Sequence, residues 1–155
     1  MREILFRGIP KTETNYHLLS SIWKKQSKNG WVYGSLIIAK DKYYICVSAL
    51  CRVNSFVNNG ITSMVEVIPE TVGQYTGLTD KNGKKIFEGD IVAGALHWQE
   101  RRKNGIVAFR NGSFGLLWYR GEIEQFNPFT SMCNVEYEVI GNVQENPELM
   151  RGEEE

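Results

Sequence analysis

Short runs that alternate apolar and polar residues, separated by turn-forming residues, make up most of this sequence. In residues 61–68, for example, Ile, Ser, Val and Val alternate with Thr, Met, Glu and Ile. A period of two residues is typical of a β-strand that buries one face. This period, with enrichment in aromatic and β-branched residues, predicts strands over residues 2–7, 31–39, 43–48, 61–68, 90–98, 105–110, 113–119, 126–133 and 135–143.

Two Asn-Gly pairs predict tight turns between strands. Asn111-Gly112 stands directly between the predicted strands 105–110 and 113–119. Both residue types tolerate positive φ, which a two-residue hairpin turn requires, so a β-hairpin is expected here. Residues 80–84 (DKNGK) contain the second pair and predict another turn.

One segment has helical rather than strand spacing. Residues 15–28 place apolar side chains three and four positions apart, and lysines follow near the end, where cations suit the helix dipole. We therefore predict a helix that packs on its own sheet or, alternatively, on a neighbouring subunit. The apolar side chains of this candidate oligomer helix are Tyr16, Leu19, Ile22 and Trp23.

These elements predict an α+β fold that is mostly β. Residues 1–150 are expected to form one domain, with an N-terminal sheet and the helix in 1–68 and a barrel-like part in 69–143. In residues 87–92 a Gly-Asp pair opens an apolar strand, which is similar to small SH3-like barrels. The acidic residues 151–155 are expected to form a flexible tail.

Composition narrows the class of protein. The chain has 155 residues, of which 42% are hydrophobic, and this excludes a disordered composition for most of it. Its three cysteines are an odd number and so do not imply a full disulfide framework. No apolar run approaches the roughly 18 residues of a membrane span, and no signal-peptide pattern is present. We expect a cytosolic protein that does not enter a membrane.

Charge is unevenly distributed although the net charge is zero. Residues 101–120 contain five basic and no acidic groups, whereas residues 121–155 contain one basic and nine acidic groups. Such asymmetry marks either a binding face or two patches that meet in an oligomer.

The basic cluster near residue 101 is the main candidate binding site. Cations with interleaved aromatic side chains suit single-stranded nucleic acid, through phosphate contacts and base stacking. The alternatives are a solvated hairpin tip that protects a sheet edge and a contact with an acidic protein surface. The candidate residues are Trp98, Arg101, Arg102, Lys103, Arg110, Trp118 and Arg120.

Evidence for catalytic or metal chemistry is weak. Glu88 and Asp90 would share one face of a continuous strand and could hold a divalent cation, but Gly89 interrupts the strand and favours a turn-stabilising role. Cys46 and Cys51 lack a second close cysteine pair, so structural thiols are expected. No catalytic residue, metal site or cofactor is predicted.

Several blocks resemble the YopX family of small bacteriophage and prophage proteins. The most specific block is residues 67–92, and residues 4–8, 31–37, 138–143 and 146–149 follow the same pattern. The predicted helical segment departs from it, because the family usually has a short polar loop there. The resemblance implies a phage setting and the cytoplasm of the bacterial host, and it assigns no catalytic residues.

Three functions follow, in order of preference. The first is a non-enzymatic phage accessory protein that binds other proteins, as a homo-oligomer or with a phage or host protein. The second is a nucleic-acid-binding module that uses the basic cluster. The third is a metal-dependent nuclease that uses Glu88 and Asp90.

Overall fold

The computed structural model describes residues 3–11, 30–46, 64–93, 104–120, 122–129 and 137–150. The chain divides into two compact units, residues 1–74 and 75–155. The strands are β1 (Phe6–Gly8), β2 (Val32–Ala39), β3 (Lys42–Cys46), β4 (Met64–Val67), β5 (Gly73–Thr79), β6 (Lys85–Phe87), β7 (Asp90–Val92), β8 (Gly105–Arg110), β9 (Ser113–Arg120), β10 (Ile123–Pro128) and β11 (Val139–Asn142). Two short 3₁₀ helices span Pro69–Thr71 and Pro147–Met150.

In the first unit, β4, β3, β2, β1 and the start of β5 lie side by side in that order, and all pairs are antiparallel. The chain after β1 then hydrogen-bonds to β4: the Ile68 N–H donates to the Ile9 carbonyl at 2.8 Å, and the Lys11 N–H donates to the Glu66 carbonyl at 3.0 Å. Strand β4 therefore has a partner on both sides, and the sheet curls around its own core.

The core of this unit consists of four β-branched residues on alternate strand positions. Val32, Ile45, Val65 and Val67 are each at most 2% exposed. The close approach of β2 and β3 depends on Gly34, because a Cβ atom there would lie 1.9 Å from the Cys46 carbonyl oxygen. Glycine is thus required at a point where two backbones touch.

Two lysines share one carboxylate on the outer face of this sheet. Glu66 accepts from the Lys11 Nζ at 3.1 Å and from the Lys42 Nζ at 3.3 Å. The hydrogen bond from Lys11 is the largest influence on Glu66 and lowers its pKa, while Glu66 raises the pKa of Lys42. Exposed ion pairs of this kind contribute little to stability.

In the second unit, the end of β5 pairs with β6, and a separate five-stranded antiparallel sheet has the order β10-β9-β8-β7-β11. Strands β7 to β10 are neighbours in sequence and in space, and β11 returns to pair with β7. Its core is formed by the buried residues Ile86, Val92, Val107, Leu116, Tyr137 and Val139.

A buried carboxylate joins the 80–84 turn to the last strand of this sheet. Asp80 is 6% exposed; its Oδ1 accepts from the backbone N–H groups of Asn82 (2.8 Å) and Lys84 (2.9 Å), and its Oδ2 accepts from that of Val139 (3.1 Å). Burial alone would raise the Asp80 pKa, but the three backbone donors and the charge of Lys84 together hold it below its usual value.

The predicted α+β class is wrong. The described residues form two antiparallel sheets, and their helices are single 3₁₀ turns; none is long and apolar enough to cross a membrane. The proposed helix, with Tyr16, Leu19, Ile22 and Trp23, lies outside the described residues. The mostly β character of the prediction is confirmed. The SH3-like barrel stays a prediction: the five-stranded sheet has the order β10-β9-β8-β7-β11, and no pairing between described residues joins its two outer strands.

Strand β5 was not predicted. Its sequence, GQYTGLT, contains two glycines and little apolar alternation, so that composition favoured a turn-rich segment. Pairing with β1 and β6 stabilises it instead. Strand β10 begins at Ile123, three residues before the predicted start at residue 126.

We expect Gly34→Ala to destabilise the first unit by more than about 3 kcal/mol, because the new Cβ would collide with the Cys46 carbonyl oxygen. Urea denaturation measures the effect. Ser35→Ala, at the exposed neighbouring position, is the control and should change the unfolding free energy by less than about 0.5 kcal/mol. Equal stability of the two variants would contradict the close approach.

Asp80→Asn should lower the unfolding free energy at pH 7 by about 1–3 kcal/mol, since an amide cannot accept all three backbone bonds. The folded-state pKa of Asp80 is depressed. Its stabilisation is therefore complete above the unfolded-state pKa of about 3.9 and is lost as pH falls through the lower folded-state value. The difference between wild type and variant should shrink below about pH 4. The control is Asp41→Asn, at an exposed turn, which should change the unfolding free energy by less than about 0.5 kcal/mol.

Candidate interaction surface on strands β8, β9 and β10

The Asn111-Gly112 turn brings β8 and β9 together as a tight hairpin. Asn111 has φ +50° and Gly112 has φ +80°, which are the positive values that a two-residue turn of the primed type needs. Pairing runs from Arg110–Ser113 at the tip to Ile106–Leu117. The hairpin predicted from the Asn-Gly pair is confirmed.

The pairing register assigns the side chains of this region to two faces. Phe109 is opposite Phe114, and Ile123 is opposite Arg120, so these positions share one face with Trp118. Arg110, Tyr119 and Glu124 belong to the other face. We call the following residues together the hairpin surface: Phe109, Arg110, Phe114, Trp118, Tyr119, Ile123 and Glu124.

The first face is also the face of the core residues Val107 and Leu116, and it exposes apolar groups beyond that core. Phe109 is 50% exposed and Ile123 is 63% exposed. The rings of Phe109 and Phe114 meet edge to face, with centroids 5.0 Å apart. At the other end of β9, the Trp118 Nε1–H donates to the Asn127 Oδ1 at 2.8 Å, which orients the indole ring.

On the second face, the carboxylate of Glu124 lies beside the guanidinium of Arg110 and offsets its charge. The Arg110 Nη2 lies 3.6 Å from the Glu124 Oε1, and the Tyr119 hydroxyl donates to the Glu124 Oε2 at 3.4 Å. Tyr119 is itself 44% exposed. Among the described side chains, this face therefore pairs its cation with a carboxylate and carries a partly exposed tyrosine.

Strand β10 approaches β9 closely because β9 has a glycine at the crossing. A Cβ atom on Gly115 would lie 2.3 Å from the Asn127 carbonyl oxygen and 2.7 Å from the Phe126 ring. The sequence therefore allows β10 to lie against β9 along its whole length, from Ile123 to Pro128.

The structure separates the predicted binding residues. Trp118 and the backbone position of Arg120 share one face, whereas Arg110 lies on the other face beside Glu124. The remaining residues of the predicted basic cluster, Trp98, Arg101, Arg102 and Lys103, lie outside the described residues. Tyr119 was noted in the sequence as an aromatic residue beside the basic cluster, whereas Phe109, Ile123 and Glu124 were not selected. The strand alternation next to the Asn-Gly turn could have indicated Phe109.

Glu88 and Asp90 were the acidic pair considered for metal binding. Of the two, Asp90 has a structural role. This residue is 1% exposed, and its Oδ2 accepts from the Phe87 backbone N–H at 2.8 Å. It thus stabilises the turn between β6 and β7, where Gly89 has φ +82°. Among the residues that the structure describes, no group of three or more His, Cys, Asp or Glu side chains could hold a metal ion. Cys46 is half-buried, and Cys51 lies outside that part of the chain.

The family model for the YopX protein matches residues 22–151 of this chain. The chain belongs to the YopX family. The match includes all described strands except β1, which precedes it. The resemblance seen in the sequence blocks is confirmed over most of the chain.

One solved structure similar to this YopX chain is the crystal structure of protein EF1440 from Enterococcus faecalis. The two are 35% identical over 52% of this chain and 55% of that chain, with a TM-score of 0.37. This chain therefore spans about half the length of that protein. No curated protein matches it.

The hydrogen bond between Trp118 and Asn127 should couple the two side chains by about 1 kcal/mol. A double-mutant cycle with Trp118→Phe, Asn127→Ala and the double variant, measured by urea denaturation, tests this. Each single variant should be less stable than wild type, and the double variant should lose less than the sum. If the double variant loses as much unfolding free energy as the two single variants together, the hydrogen bond is contradicted.

Proposed function

We propose that this YopX-family protein is a non-enzymatic phage or prophage accessory protein that works by binding protein, as a homo-oligomer, through the hairpin surface. Its expected location is the cytoplasm of the bacterial host. Family membership supports the phage setting, and the exposed apolar groups support the mode of action.

The observation that carries this proposal is the exposure of large apolar side chains on neighbouring strands. Phe109 and Ile123, which share one face of the sheet, are 50% and 63% exposed, and Tyr119 on the other face is 44% exposed. Single exposed apolar residues are common on soluble proteins, whereas several on adjacent strands favour a macromolecular contact. Aromatic groups, in particular, are enriched in protein interfaces.

The charges on this surface favour protein over nucleic acid. Phosphate binding needs cations that are not already neutralised, but the Arg110 guanidinium lies beside the Glu124 carboxylate. A carboxylate at that position also repels phosphate. Arginine and tyrosine are, in contrast, enriched in protein interfaces, whose rim is polar.

Light scattering on a size-exclusion column tests the proposal, with the protein alone and with a short single-stranded DNA at low and moderate salt. We expect a mass of more than one chain that does not change with DNA. Replacing Phe109 and Ile123 by Ser should weaken self-association at least tenfold, about 1.4 kcal/mol. Leu78→Ser is the matched control, because Leu78 is 40% exposed on β5.

A mass increase with DNA that disappears as salt rises would instead support nucleic-acid binding. In that case the triple variant Arg101→Ala, Arg102→Ala, Lys103→Ala should abolish the increase. A single-chain mass under all conditions would contradict the homo-oligomer.

A further inference from the structure

Five Asn-Gly pairs occur in this sequence, and the structure describes both residues of three of them, Asn82-Gly83, Asn104-Gly105 and Asn111-Gly112. An asparagine followed by glycine is especially prone to lose the ammonia of its side chain. Glycine has no Cβ to hinder attack by its own backbone nitrogen on the neighbouring Cγ atom. The surroundings of each pair therefore decide where this reaction takes place in the folded chain.

The Asn104-Gly105 pair is protected by packing. Gly105 is buried and pairs with Val92 in the sheet, and the Asn104 Nδ2 donates to the Leu149 carbonyl oxygen at 3.0 Å. The attacking nitrogen thus lies within a strand ladder, and the amide that would leave is held by a hydrogen bond. Reaction here would require β7 and β8 to separate.

The Asn82-Gly83 pair is exposed, but Asp80 holds its turn. The Gly83 N–H donates to the Asp80 carbonyl oxygen at 2.9 Å, so the nitrogen that would attack is already hydrogen-bonded. The Asn82 N–H donates to the Asp80 Oδ1 at 2.8 Å, and the same carboxylate accepts from the Val139 N–H. Opening this turn would break bonds within the turn and weaken its bond to a strand of the core.

The Asn111-Gly112 pair lies at the tip of the β8–β9 hairpin, where both residues and the adjoining Phe109 and Arg110 are exposed. In a two-residue turn the bond that closes the hairpin joins the flanking positions, here Arg110 and Ser113. The Gly112 N–H lies between them and takes no part in that bond. Opening a hairpin tip costs less free energy than opening a strand ladder or a turn that is bound to the core.

We propose that Asn111 is the site of deamidation among these three pairs, and that its products are aspartate and isoaspartate. The Gly112 nitrogen loses its proton to hydroxide and attacks the Asn111 Cγ atom. The new N–Cγ bond replaces the Cγ–Nδ2 bond, and the side-chain nitrogen takes up a proton and leaves as ammonia. Water then adds to one of the two carbonyl carbons of the cyclic imide and opens the ring. The reaction uses only the turn and water, so it is independent of the proposed function.

The two products affect the hairpin differently. Both replace a neutral amide by a carboxylate, which adds one negative charge to a chain whose formal net charge is zero. Aspartate tolerates positive φ as asparagine does, so it keeps the turn, where residue 111 has φ +50°. Isoaspartate carries the main chain through its β-carbon, and the extra backbone atom does not fit a two-residue turn. Isoaspartate therefore disrupts the pairing of Arg110 with Ser113.

The test follows the full chain in mildly alkaline buffer made with water enriched in a heavy oxygen isotope, which labels every carboxylate formed during the incubation. Digestion at acidic pH with a glutamate-specific protease and fragment mass spectrometry then give the rate at each pair. The rate at Asn111 should exceed those at Asn82 and Asn104 at least about tenfold, which corresponds to about 1.4 kcal/mol. An equal or higher rate at either of the other two would overturn the assignment.

Two variants of the full chain serve as controls. Asn111→Gln has a longer side chain that cannot form the same ring, so the label at residue 111 should disappear while the rates at the other pairs stay unchanged. Asp80→Asn weakens the bonds that hold the 80–84 turn, so the rate at Asn82 should rise at least about fivefold relative to that at Asn111. An unchanged ratio would overturn the protective role of the turn. A single labelled product at residue 111, without isoaspartate, would overturn the cyclic imide.

Discussion

The carboxylate of Asp80 is the interaction on which the second unit most depends. It is buried, it accepts three backbone hydrogen bonds, and two of these shape its own turn while the third reaches Val139, 59 residues later. An unpaired buried charge would be costly, whereas one with several backbone donors is stabilised in its ionised form. The turn therefore holds β11 in place, and β11 in turn completes the pairing of β7.

Asp90 repeats this arrangement ten residues further along the chain. Its carboxylate binds the Phe87 N–H, and the intervening Gly89 both donates to the Val107 carbonyl at 2.8 Å and accepts from the Val143 N–H at 2.9 Å. Two acidic residues thus organise the two turns of the segment that resembles the family most closely. Their bonds to turn backbone N–H groups explain why this segment is dense in turn-forming residues.

The sequence predicted local features well and long-range pairing poorly. The Asn111-Gly112 hairpin could be predicted because positive φ at two adjacent residues favours only a few residue types. The role of Asp80 could be recognised only in part: its turn is local, but the bond to Val139 depends on how distant strands meet. Strand β5 was missed because pairing on both sides can stabilise a glycine-containing segment with low strand propensity.

The charge of the candidate site also could not be predicted from the sequence, because it depends on which strands pair. Residues 101–120 contain only basic charged groups, which suggested a cationic surface. The β9–β10 connection then brings Glu124, from the acidic part of the chain, to within 3.6 Å of Arg110. Charge along a sequence and charge across a sheet are different quantities, because antiparallel pairing places residues far apart in sequence side by side. Among the described side chains, the one cation of this stretch is therefore paired with a carboxylate that lies 14 residues away in the sequence.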